Sequence, residues 1–152
     1  MIGRREFVAG LGGAAAWPVV ARAQQGDRVR RIGVLMGGDE NDPDPMAKTM
    51  VSAFTQALAE LGWTDGRNVR MELRWGGAGI DRQRALAQDL VGLQPDIIVT
   101  SGTLPTAVAQ RETRTIPIVF AGLTDPVAQR IVARLDRPGG NITGFADFEA
   151  SL

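Results

Sequence analysis

Asp96-Ile97-Ile98-Val99-Thr100 is a short apolar, β-branched run without polar alternation. A strand of that kind is buried on both faces, as in the middle of a parallel sheet. It ends in Ser101-Gly102-Thr103, and Pro105 follows near the first turn of a helix, where its missing N–H costs nothing. A strand is therefore predicted to feed a helix through a small, hydroxyl-bearing turn. Such a turn exposes backbone N–H groups at the positive end of the helix dipole, which suits an anionic or strongly polar ligand group. The rest of the chain repeats this unit.

Arg31 to Met36 reads as the first strand and closes on Gly37-Gly38; an acidic, proline-punctuated loop follows from Asp39 to Pro45. From Met46 the apolar period becomes helical, with Met46, Met50, Phe54, Ala57, Leu58 and Leu61 on one face and Gly62 as the stop. Asn68 to Trp75 alternates polar and apolar, as expected of a strand with one wet face near the sheet edge. After the loop Gly76-Gly77-Ala78-Gly79, Asp81 is the predicted N-cap of a helix through Leu86 and Leu90. A third helix covers Pro105 to Glu112, and Ile116 to Phe120 forms the next strand. Ala121-Gly122-Leu123-Thr124 then reads as a turn, Val127 to Leu135 as a fourth helix, and Ile142 to Phe145 as a fifth strand. Strands alternating with helices predict an α/β fold, a doubly wound, mostly parallel sheet.

Ligands on such sheets bind outside the carboxyl ends of the strands. The candidate binding residues are therefore Gly37, Gly38, Ser101, Gly102, Thr103, Gly122, Thr124 and Asp125. Each has a plainer reading beside it. Ser101 and Thr103 are ordinary capping residues at a βα turn, Asp125 is an N-cap as readily as a partner for a ligand ammonium, and the glycines serve turn chemistry. Trp63 and Trp75 sit at strand or turn margins, where packing is favoured over stacking on a ligand. The Gly76–Ile80 stretch lacks the third glycine and the first-strand position of a dinucleotide fingerprint. The loop Asp39–Asp44 lacks the spacing of a calcium loop, and a solvated loop is expected there.

The sequence holds no Cys and no His, which removes thiolate nucleophiles, imidazole acid–base chemistry and most zinc sites; no catalytic residue, metal site or cofactor is predicted. Basic and acidic residues balance at 17 each, so the basic excess of a nucleic-acid partner is missing. Residues 1–23 are set apart from the fold: Arg4-Arg5 precede a weakly apolar Gly/Ala-rich run, and Ala21-Arg22-Ala23 has the form of a signal-peptidase site. This pattern resembles a twin-arginine (Tat) export signal. It predicts an exported chain that starts at Gln24 and does not span a membrane after cleavage.

Several segments together carry a family resemblance. They are L-x-x-L-G-W-x-x-G-R-N-V from Leu58 to Val69, Arg74-Trp75, R-E-T-R-T-I-P-I-V-F from Arg111 to Phe120, Asp125-Pro126-Val127, and R-P-G-G-N-I-T-G-F from Arg137 to Phe145. With the Tat-like start they resemble the periplasmic substrate-binding proteins of ABC transporters, the group that includes tryptophan and tyrosine binders. The resemblance implies a type I periplasmic-binding-protein fold, a small-molecule solute such as an amino acid, and an ABC permease at the inner membrane as partner. It also implies that residues 24–152 match the first lobe alone, with the second lobe absent, so truncation is expected. The competing classes are a secreted α/β enzyme such as a hydrolase, for which Ser101, Asp125 and Lys48 are the available side chains, and a non-functional fragment.

Overall fold

Ile32, Val34 and Met36 point to one side of a strand and Leu35 to the other, and all four are buried, so this strand must be central. It is β1 (Arg30–Met36) of the computed structural model, which describes residues 28–148. The remaining elements are α1 (Met46–Glu60), β2 (Val69–Trp75), α2 (Ile80–Gly92), β3 (Ile97–Ser101), α3 (Thr103–Glu112), β4 (Ile118–Thr124) and β5 (Ile142–Phe148). The predicted export signal lies outside the described residues.

The five strands form one sheet in the order β2-β1-β3-β4-β5, and every pairing is parallel. The α/β, doubly wound architecture is thus the one the sequence predicts, with β2 at an edge. Its register places Trp75, Met36, Ser101 and Ala121 in one row across four strands. That row is the carboxyl edge of the sheet. The chain moves from β1 outward to β2, then crosses back to β3, so the strand order reverses between β1 and β3. Crossovers leave opposite faces on either side of such a reversal and open a crevice there.

The two faces are covered unequally. On one, α2 and α3 bury Leu90, Ala87 and Val108 against Leu35, and a second cluster gathers Phe120, Leu123, Ile118 and Ile142 with Ile131 and Val132. On the other, α1 lays Val51, Phe54 and Leu58 over Ile32, Val34 and Val69, yet none of its own residues is fully buried. Its packed face is rotated from the predicted one: Met46 and Leu61 stand in solvent at 62% and 77% exposure.

Three further local expectations are corrected. Gly79, not Asp81, is the N-cap of α2, and Asp81 in its first turn pairs with Arg84. Ala121 to Thr124 is not a turn but the second half of β4, which stays paired to β5 through register shifts between Phe120 and Thr124. The fourth helix does not form. Asp125 and Arg130 take left-handed backbone at φ 48° and 58°, and successive turns replace the helix, with Ile131 and Val132 buried beneath them.

Candidate functional site

Each strand end on the carboxyl edge is tied to its neighbour by a backbone hydrogen bond. Gly37 N–H donates to the Ser101 carbonyl at 3.1 Å, Gly76 N–H to Met36 at 3.1 Å, and Gly102 N–H to Ala121 at 3.2 Å. Beyond the row, Gly77 N–H reaches the Gly38 carbonyl at 3.1 Å. The loops after β1, β2 and β3 are therefore held side by side.

Buried hydroxyls lock the β3–α3 turn from below. Thr106 Oγ1 donates to the Gly102 carbonyl at 2.7 Å, which uses its only proton, so Thr100 Oγ1 is the donor in the 2.8 Å bond between the two threonines. Gly102 sits at φ 98°, ψ 163°, a conformation open to glycine alone, and this sharp bend starts α3 immediately. The first turn of a helix has no intrahelical acceptors for its N–H groups. Pro105 has no N–H and Thr106 N–H bonds back to Gly102, so Thr103 and Leu104 present the free pair at the positive end of the α3 dipole.

Above this turn lies an open crevice of about 460 Å³, within the range of small-ligand sites. It is lined by Gly37, Gly38, Ser101, Gly102 and Thr103, together with Met36, Gly77 and Ala78; among the described residues no charged side chain lines it, and the Asp39 carboxylate stands at its rim beside Gly77. Met36 and Ser101 also border an apolar recess under α1, walled by Met50, Phe54, Val99 and Ala121. The arrangement offers main-chain donors and a hydroxyl beside apolar surface. It offers no paired acid and base.

Five of the eight residues singled out by the sequence meet at this crevice. Gly122, Thr124 and Asp125 do not line it. Gly122 lies alongside, with Ser101 Oγ, the Asp147 carboxylate and Met50 at 3.5 to 3.8 Å from where a Cβ would stand. Asp125 accepts from Ala128 N–H at 2.9 Å within its own loop, and the helix it was expected to cap does not form. Gln129 joins that loop to the crevice rim: its amide donates to the Thr124 carbonyl at 2.8 Å, and its Oε1 accepts from Thr103 Oγ1 at 2.6 Å. The Thr103 hydroxyl is thus engaged already, and its N–H is the freer group. Met36, Gly77 and Ala78 were not foreseen. The signal for Gly77 was present in the placement of β2, since an edge strand beside β1 delivers its following loop to the same reversal point. Among the described residues, no group of three acidic, His or Cys side chains is placed to hold a metal ion.

Comparison with known proteins gives a consistent picture. The family described as ABC transporter substrate binding protein matches residues 43–151. A curated relative, the tyrosine-binding protein of Clostridioides difficile, is 30% identical over 62% of this chain and 28% of its own length. Among solved structures, a conserved domain protein from Vibrio cholerae superposes with a TM-score of 0.74 at 26% identity, over 81% of this chain and 40% of the other. The ligand-free, open structure of a substrate-binding protein with adhesive properties from Clostridium difficile gives 0.73 at 26% identity, over 80% and 40%. A complex with L-Trp from Streptococcus pneumoniae gives 0.70 at 26% identity, over 77% and 38%. The chain spans between 28 and 40% of the length of these relatives.

Proposed function

The chain belongs to the ABC transporter substrate-binding protein family, and we propose from that premise that residues 24–152 form one wall of a cleft that takes a small solute for an ABC importer. The wall is the crevice at the carboxyl edge, and the bound group is polar or anionic, such as the carboxylate of an amino acid. The observation that carries this reading is the coincidence of the free Thr103 and Leu104 N–H groups with a crevice that no charged side chain lines among the described residues. A carboxylate there is held by aligned peptide dipoles rather than by a counter-ion. The apolar recess shared by Met36 and Ser101 accepts the solute's body. A tyrosine-binding relative and a neighbour solved with L-Trp favour an aromatic amino acid as the first solute to try. Gly37, Gly38, Ser101, Gly102 and Thr103 contact the solute, Gly122 borders it beside Ser101, and Thr124 and Asp125 border it through Gln129.

The reading carries its compartment and partner with it. The protein works outside the cytoplasm, exported by the twin-arginine segment within residues 1–23, and delivers its solute to a permease in the inner membrane. No helix among the described residues is long and apolar enough to cross a membrane. A second lobe supplies the opposing wall. One wall alone leaves a face of the solute in water, so affinity on the order of millimolar is expected of these residues by themselves. Titration of the ¹⁵N-labelled chain with L-tryptophan and L-tyrosine tests this. Saturable amide shifts confined to Gly37, Gly38 and Ser101 to Leu104 support the site; saturable shifts centred elsewhere, or none at the solubility limit of either amino acid, reject it. Turnover of a generic ester would instead favour the enzyme reading.

A further inference from the structure

Gln83 is wholly buried, at 0% exposure, in the first turns of α2 directly beneath the crevice. Its side-chain Nε2 donates to the Met36 carbonyl at 3.0 Å and to the Gly77 carbonyl at 2.9 Å. Both of those residues line the crevice. The Met36 carbonyl also accepts from Gly76 N–H, so both of its lone pairs are taken. The amide orientation is fixed by these two bonds, because the reverse orientation would set Oε1 against two acceptors. The outcome is costly for Gln83 itself: its Oε1 is buried without a hydrogen-bond partner among the described residues. A buried orphan of this kind calls for an explanation. The space it occupies is reserved as well. A Cβ on Gly76 would lie 2.2 Å from Gln83 Cδ, while Gly76 itself has an ordinary backbone angle, so its lack of a side chain serves the glutamine.

We propose that Gln83 is a positioning residue of the crevice: its buried amide holds the carbonyl oxygens of Met36 and Gly77 out of the crevice wall and so keeps their negative ends away from a solute. Gly77 lies at φ 61°, and a glycine peptide so placed can flip cheaply. Without the glutamine, the Gly77 carbonyl has no buried partner and turns toward the solvent-filled crevice, where its negative end opposes a carboxylate. The role of the crevice in binding rests on the reading given above. The position of the two carbonyls does not.

Amide hydrogen exchange and carbonyl ¹³C shifts on the folded chain decide the assignment without any solute. Gln83→Met keeps length and removes the donors; Gly76→Ala leaves Gln83 in the sequence and displaces its amide. Both variants are expected to speed exchange at Gly76 and Gly77 by roughly tenfold or more, the effect of losing one such buried bond. Both also shift the Gly77 carbonyl resonance, with protection at Ile118 and Ile142 unchanged. In Gln83→Ala combined with Gly76→Ala the clash is gone, so the pair is expected to be no worse than Gln83→Ala alone. Gln83→Glu is expected to restore the Gly77 signature on acidification, when the buried carboxyl carries a proton to donate. Unchanged exchange at Gly76 and Gly77, or acceleration spread evenly over the sheet, overturns the proposal. Failure of the unsubstituted chain to bind L-tryptophan would overturn the solute reading instead and leave the exchange result to judge Gln83.

Discussion

The two ends of the sheet are built from opposite materials. At the amino end, Asp96 gathers charge: its Oδ2 accepts from Arg31 N–H at 2.8 Å, and its Oδ1 meets Arg30 at 3.2 Å and Arg28 at 3.0 Å. The Arg31 side chain runs on to the Leu93 carbonyl at 2.8 Å. At the carboxyl end no charged side chain lines the crevice among the described residues, Asp39 with its exposed partner Arg82 stands only at the rim, and the strand ends are held by peptide groups, two buried threonines and Gln83. An end closed by ion pairs spends its polar groups on one another. An end closed by peptide bonds from below keeps N–H groups unspent on its upper side, and those are what a solute can use.

The contrast can be broken in four graded ways. The largest effect is expected at the shared scaffold, where Phe120 is 2% exposed; Phe120→Ala should cost about 3–5 kcal/mol and destabilise both ends together in a urea melt. Next comes Gly102→Ala, which puts a side chain on a residue at φ 98° and should cost about 1–3 kcal/mol. Its exchange changes should centre on the carboxyl edge and spare Arg31.

Asp96→Ala attacks the other end and should cost about 1 kcal/mol, because the carboxylate is only partly buried and solvent screens its pairs. The Arg31 N–H bond first, then Arg30 and Arg28, hold the Asp96 carboxyl below its ordinary value of 3.8, against a smaller opposing push from burial. A lowered folded pKa means stability that is fully present above the unfolded value and lost as pH falls through the folded one. Melting curves of the variant and the parent should therefore differ at pH 7, begin to approach each other only as pH falls below the unfolded carboxylate value of about 4, and meet below the lowered folded value. A gap that persists at low pH would show that packing, not charge, closes this end. The smallest effect is expected for Thr103→Ala, within about 0.5 kcal/mol of the parent in stability, since the hydroxyl and Gln129 are both exposed. Amide shifts on adding L-tryptophan should still appear at Thr103 and Leu104 in that variant. Their disappearance would assign the grip to the hydroxyl instead of the N–H.

Much of the carboxyl end was legible in the sequence because its signals are local. A β-branched run that stops at Ser101-Gly102-Thr103 and meets Pro105 specifies a strand, a sharp turn and a helix start without help from the rest of the chain. The β4 region was misread for the converse reason. Ala121-Gly122-Leu123-Thr124 has turn composition, yet β5 supplies a partner some twenty residues later, and a bulge keeps the pairing. The expected fourth helix lost to the left-handed residues Asp125 and Arg130, which composition does not announce. Gln83 looked like any polar residue in a helix; only the sheet order, which lowers it beneath β1 and β2, makes it buried. The rotation of the α1 face has the same origin, since the periodicity fixes an apolar stripe and the sheet decides which edge of it is used.

That loosely seated helix has a consequence for the life of the protein. A segment with no fully buried residue comes away at a small fraction of the free energy needed to unfold the sheet. Where proteases are present, α1 (Met46–Glu60) is the helix of the described residues that opens most cheaply, and its opening offers Lys48 to a trypsin-like enzyme. A solute seated in the apolar recess under α1, beside Val34 and Val99, would slow cutting at that helix.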